Sequence, residues 1–191
     1  MINIVLFGPP GAGKGTQSRK IIEKYQLTHI STGEILRKAI AAKTPLGIEA
    51  QKHIDKGYYV PDEMAIDIVK KELKEYPHSK GFIFDGFPRT VNQANKLAEI
   101  VDAIGGKINV MISLEVDDDV LIDRLTNRFS DTKRIDDKDT GVIKKRIGIY
   151  NDRTKILKDY YKLIGKHEPV CGIGKIDVIF DKICSVIERY K

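Results

Sequence analysis

Apolar positions along this chain follow two rhythms. Residues 2–7, Gly81-Phe82-Ile83-Phe84-Asp85 and residues 107–114 are short, nearly continuous apolar runs, the pattern of strands buried on both faces. Residues 27–30 predict a further short extended piece. Between these runs the apolar residues recur every three or four positions, the period of a helix packed on one side. Helices are predicted from Thr16 to Tyr25 with Ile21 and Ile22 inward, and from Ser31 onward with Ile35, Leu36 and Ile40. Ser31 and Glu34 have the spacing of a capping box. Further helices are predicted at about 46–56, from Pro61 with Met64, Ile68 and Leu73 on one stripe, at 92–104, at 120–127, as one long helix over 142–165, and from Lys175 to Val178 onward with Ile179, Ile183 and Ile187. Residues 129–138 are polar and predict a mobile loop. Strands alternating with helices specify an α/β fold, a parallel doubly wound sheet flanked by helices.

Composition narrows the class. With 191 residues, 41% of them hydrophobic, the chain suits one core with excursions. It contains no apolar stretch approaching the roughly 18 residues of a membrane span, and Met1-Ile2-Asn3-Ile4 does not open a signal peptide, so no membrane partner is expected. Cys171 and Cys184 make no disulfide framework, which predicts a reducing, cytoplasmic location. The net charge of +6 raises the possibility of nucleic acid. The lysines, however, are dispersed and the aromatic residues do not alternate with basic ones, so a solvated lysine surface and no nucleic-acid partner are expected. His29, His53, His78 and His167 share no ligand spacing and are read as structural or surface residues.

The segment GPPGAGKGT at residues 8–16 changes the picture most. It follows a strand and precedes a helix, and it fits G-x-x-x-x-G-K as Gly8 to Gly13 and Lys14. Backbone N–H groups of such a loop surround phosphate oxygens, the helix N-terminus adds its positive end, and the lysine brings a full charge. Gly15 stands where the motif usually carries a hydroxyl, and Thr16 comes one later. Mg²⁺ is therefore expected to be held by phosphates and water, not directly by the protein. Asp85, ending the second apolar strand, would reach it through water. Gly86-Phe87-Pro88-Arg89 follows, at the end of the sheet where open α/β folds bind ligands.

Together GPPGAGKGTQ at 8–17, ISTGEILR at 30–37, FDGFPRT at 84–90 and RIDD at 134–137 resemble the adenylate kinases, in order and across essentially the whole chain. The resemblance implies MgATP + AMP ⇌ 2 ADP. It assigns ATP to Gly11, Ala12, Gly13, Lys14, Gly15, Thr16, Arg128 and the main chain near Gly174. It assigns AMP to Thr32, Arg37, Tyr58, Tyr59, Val60, Gly86, Phe87, Pro88, Arg89 and Gln93. Arg134 and Arg146 would bridge the two nucleotides, and Lys14, Arg89, Arg128, Arg134 and Arg146 would form the catalytic set. It also implies a core of residues 1–30, 61–126 and 138–191, an AMP-binding excursion at 31–60 and a short lid at 127–137. Long-lid relatives often carry four zinc-binding cysteines in that lid. This lid has none, so no structural zinc is expected. A monomer is expected, since no long apolar stripe is left over.

Two features depart from the family pattern. Tyr58-Tyr59 occupies positions that often hold a basic or small residue followed by Leu, and the Arg134–Arg146 interval is one residue longer than in many members. A UMP/CMP kinase of the same fold is the nearest rival, but Thr32 and Gln93 favour AMP. A P-loop switch module would need an N-K-x-D guanine-reading motif, which the sequence lacks.

Overall fold

The structure, a computed structural model, describes residues 1–191 apart from 133–136 and 138, and apart from the side chains of 131, 132 and 153–155. Among the described residues five strands are formed, β1 (Ile2–Phe7), β2 (Thr28–Ser31), β3 (Gly81–Asp85), β4 (Val110–Glu115) and β5 (His167–Cys171). They pair in the order β2-β3-β1-β4-β5, every neighbour parallel. The helices are α1 (Lys14–Tyr25), α2 (Thr32–Ala41), α3 (Pro45–Ile54), α4 (Asp62–Glu75), α5 (Val91–Asp102), α6 (Asp118–Thr132), α7 (Thr140–Ile149), α8 (Lys155–Leu163) and α9 (Ile176–Tyr190). This is the expected α/β class.

Strand periodicity divides the core. Successive side chains of β1 point to opposite faces. Ile4 and Leu6 pack with Ile112, Leu121 and Ile183, whereas Val5 and Phe7 pack with Phe84, Leu97 and Tyr161. Each fully buried apolar side chain contributes roughly 1.5–3 kcal/mol, so both layers are needed to hold β1 in the centre. A third, smaller cluster of Leu36, Ala50 and Ile68 seats α2 and α3 against α4. The register aligns Leu6 with Asp85 and with Ile112. The loops leaving β1 and β3 therefore emerge side by side, at the point where the chain crosses from one side of β1 to the other.

The expected long helix over 142–165 is broken. A π-helical turn at Tyr150–Thr154 separates α7 from α8. Its wide turn carries Tyr150 inward against Phe7, with ring centroids 5.4 Å apart. Strand β5 has no apolar run to announce it. It is an edge strand in which only Val170 is fully buried. Helix α6 runs on to Thr132, into the segment expected to be a loop, and the rest of that segment lies largely outside the described residues. Ser31 caps α2 by accepting from the Glu34 N–H at 3.4 Å, but the Glu34 carboxylate pairs with Lys38 at 2.9 Å and does not close a capping box. Among the described residues no helix is long and apolar enough to cross a membrane.

Candidate active site

Above the carboxyl ends of β1 and β3 lies a cleft of about 840 Å³, at the upper end of small-ligand sites. The glycine loop forms its floor. Gly11 and Gly13 have φ of 84° and 92°, which favour glycine, and a Cβ on Gly11 would stand 3.1 Å from the Leu121 carbonyl oxygen. Positions 13 and 15 look onto open space, with nothing within 4 Å of a Cβ built there. The loop thus presses against α6 on one side and offers bare main chain on the other. The first turn of α1 has backbone N–H groups with no partner inside the helix, and they are natural donors to anionic oxygens.

Lys14 folds back over this loop, donating to the carbonyl oxygens of Gly8 at 2.7 Å and Pro9 at 2.9 Å. Burial pulls its pKa down from 10.5 to about 8. Asp85 opposes that shift, and Arg89, Arg128 and Arg146 add to it. Asp85 ends β3. Burial pushes its carboxyl up, but the neighbouring His29, Lys14 and Arg89 outweigh that and hold it below the ordinary 3.8. His29 Nε2 stands 3.6 Å from Asp85 Oδ2, an ion-pair distance when the ring is protonated.

The loop after β3 turns through Gly86, at φ 78°, and a cis Phe87-Pro88 bond. Arg89 Nε donates to the Gly86 carbonyl at 2.7 Å, and the Thr32 hydroxyl donates to the same oxygen at 3.1 Å. The Arg89 guanidinium lies 4.2 Å from the centre of the Tyr59 ring, and Lys145 lies 3.8 Å from that of Tyr58. Asp137 accepts from Arg128 Nε at 2.6 Å and Nη2 at 2.8 Å, and from Arg146 Nη1 at 2.8 Å.

Every residue assigned above to a nucleotide lines this one cleft except Arg134, which lies outside the described residues. The lining also includes His29, Arg124 and Tyr150, which carried no nucleotide assignment. His29 had been read as structural or surface, and nothing in its spacing linked it to Asp85. Arg124 did give a signal, being one helical turn before Arg128, and it donates to the Gly172 carbonyl at 3.1 Å. In the sequence Asp137 stands out only as part of RIDD. An acid gathering two arginines across nine positions in each direction is visible only in three dimensions.

A glycine loop on a helix N-terminus, a strand-end carboxylate and convergent cations in one cleft define a P-loop nucleotide phosphotransferase. Residues 6–166 match the family model of adenylate kinase. An adenylate kinase of Bacteroides fragilis is 45% identical over 188 residues, spanning 98% of this chain and 99% of that protein. One of Bacteroides thetaiotaomicron is 46% identical over 189 residues, spanning 99% and 100%. One of Methanosarcina barkeri is 41% identical over 215 aligned positions, spanning 99% and 100%. The chain belongs to the adenylate kinase family.

Proposed function

We propose that this adenylate kinase moves the terminal phosphoryl group of MgATP to AMP, giving two ADP, with its residues in the following roles. The main chain of Gly11 to Thr16 cradles the ATP phosphates and Lys14 neutralises the oxygens around the transferred group. Arg128 faces ATP, Arg134 and Arg146 span the gap between the two nucleotides, and Gly174 lies against the ATP adenine. Thr32, Arg37, residues 58–60, Gly86 to Arg89 and Gln93 take AMP. The observation that carries this reading is the gathering of Lys14, Asp85, Arg89, Arg128 and Arg146 in the lining of one cleft. Phosphoryl transfer needs positioning and charge cancellation more than covalent help, and such a cluster supplies both.

Asp85, held anionic at the strand end, suits a water-mediated contact to a nucleotide-bound Mg²⁺. When bound, that ion neutralises charge between the phosphates. Residues 31–60 act as the AMP-binding excursion and 127–137 as a short lid, excluding water that would otherwise take the phosphoryl group. The protein works as a cytoplasmic monomer on ATP, AMP and ADP, without nucleic acid or membrane. A coupled assay for ADP from ATP and AMP, with and without Mg²⁺, tests the reading. CMP, UMP and GMP as alternative acceptors belong in the same assay. ADP formation with AMP far above the others is expected, and a preference for CMP or UMP would overturn it.

A further inference from the structure

Both ends of the Gln93 amide are committed inside the protein. Oε1 accepts from the backbone N–H of Arg89 at 2.7 Å, and Nε2 donates to Asp62 Oδ1 at 2.7 Å. The residue is 2% exposed and lines the cleft. Its two partners fix which end is which. A main-chain N–H can only donate and a carboxylate can only accept, so a half-turn of the amide would set donor against donor and acceptor against acceptor. A primary amide has two hydrogens and two lone pairs. After these contacts one of each remains, in an order that cannot reverse.

Asp62 opens α4 and is not among the residues that line the cleft. Its carboxylate gathers donors from the start of α5. Besides Gln93 Nε2 it accepts from the Thr90 hydroxyl at 2.7 Å and from Asn92 Nδ2 at 3.1 Å. Thr90 in turn caps α5 by accepting from the Gln93 N–H at 3.1 Å. The charge sits in the first turn of α4, where the helix dipole favours an anion. One carboxylate thereby locks two helix starts and the amide between them.

We propose that Asp62 is a positioning residue for base selection. Through Gln93 it presents a fixed acceptor–donor pair to the base of the phosphoryl-accepting nucleotide. That pair matches an amino group beside a bare ring nitrogen, the N6/N1 edge of adenine. It opposes the reversed edge of hypoxanthine, O6 beside N1–H. The inference rests on AMP being the acceptor and assigns part of its selection to a residue that does not touch it. A site built to hydrogen-bond one edge rejects the reversed edge because buried polar groups are then left facing their own kind.

The test compares AMP with IMP as acceptor, at fixed ATP, in the wild-type protein and in Asp62→Ala, Asp62→Asn, Asp62→Ser, Gln93→Ala and the Asp62→Ala/Gln93→Ala double variant. Asp62→Ala is expected to lower the AMP-over-IMP ratio of kcat/KM by about tenfold, the worth of one charge-assisted hydrogen bond. The change should enter through KM for AMP and leave KM for ATP in place. Asp62→Asn keeps an acceptor toward Gln93 and should restore most of the ratio. Asp62→Ser keeps a polar first-turn residue but falls short of Gln93, and should lose the ratio as Ala does. If Asp62→Ala does not fold, Asp62→Ser decides. On the Gln93→Ala background, Asp62→Ala should change the ratio no further. An unchanged ratio in the folded Asp62→Ala or Asp62→Ser variant, a further fall in the double variant, or equal rises in both KM values would overturn the assignment. A wild-type chain unable to use AMP would sink the phosphotransfer reading and this one together, whereas those three outcomes in an AMP-active enzyme sink only the role of Asp62.

Discussion

Asp137 holds Arg128 in a two-pronged pair, with Nε 2.6 Å from Oδ2 and Nη2 2.8 Å from Oδ1, and its carboxylate has no exposure to solvent. The same carboxylate takes Arg146 at 2.8 Å. Two long, flexible cations are thereby held at defined places on the cleft wall. The fork of a guanidinium makes such pairing directional, which a lysine could not reproduce. Asp137→Ala is expected to reduce kcat by about 10²-fold, the size of effect that an ångström of misplacement produces. Steady-state kinetics would check it, and a kcat within a few-fold of wild type would show that the arginines hold their places without the acid.

Lys14 should take up a proton when ATP arrives. Its pKa in the free protein is drawn down to about 8 by burial, with Arg89, Arg128 and Arg146 adding to the shift. A triphosphate brings opposite charge to the ammonium and raises its pKa again. At pH 8 roughly half of the free lysines are neutral, so binding should absorb about 0.5 proton from this group, falling toward zero below pH 7. Calorimetry in buffers of different ionisation enthalpy measures that number directly. Lys14→Met should abolish the uptake and lower turnover by orders of magnitude, because the loop remains but its full charge is gone. The same shift bears on stability. The unfolded lysine binds protons more tightly than the folded one, so this group's contribution to stability rises with pH between about 8 and 10.5.

The sequence carried some parts of this arrangement openly and hid others. Strands β1, β3 and β4 were legible because each is an apolar run in the centre of a sheet covered on both faces. Strand β5 was not, because at the sheet edge His167 and Glu168 need only be half-buried and the alternation never forms. The break at Tyr150 was equally hidden. Gly148 stands two residues before it, but a single glycine within a helical pattern does not by itself mark a break, and it is packing against Phe7 that gives the wide turn a reason. The phosphate loop was legible from spacing alone, since glycines without side chains are what a close ligand requires. The partners that hold the reactive groups, Asp137 for the arginines and Asp62 for Gln93, were not. A lone acid has no spacing signature, and its role is fixed by what the fold brings to it.

Gly47 should be intolerant of even one methyl group. It lies in α3, and a Cβ there would come within 2.1 Å of the Ala39 carbonyl oxygen at the end of α2. In an open helix Gly→Ala gains up to about 1 kcal/mol of propensity. Here the clash is with backbone, which cannot rotate aside, and overpacking of this kind costs about 1–3 kcal/mol. The clash should win. Gly47→Ala is expected to lower the urea midpoint and to loosen the small cluster of Leu36, Ala50 and Ile68, which depends on α2 and α3 lying close. Hydrogen exchange of α2 amides against the rest of the chain would localise the effect, and an unchanged or raised midpoint would contradict it.

Tyr59 stands where the family pattern often has leucine, and it gives Arg89 something leucine lacks. The guanidinium sits 4.2 Å from the ring centre while its Nε is tied to the Gly86 carbonyl at 2.7 Å. A carbonyl fixes one edge of the guanidinium and the ring fixes its plane, so the outer N–H groups are aimed before substrate arrives. A cation over a partly desolvated aromatic face is worth about 0.5–2 kcal/mol. Tyr59→Leu should therefore raise KM for AMP by about 2- to 30-fold, with KM for ATP unaffected. Tyr59→Phe keeps the ring and should behave nearly as wild type. If Phe were as impaired as Leu, the phenol oxygen and not the ring face would be what positions Arg89. If neither variant moved KM for AMP, the stacking would contribute nothing to recognising the acceptor phosphate.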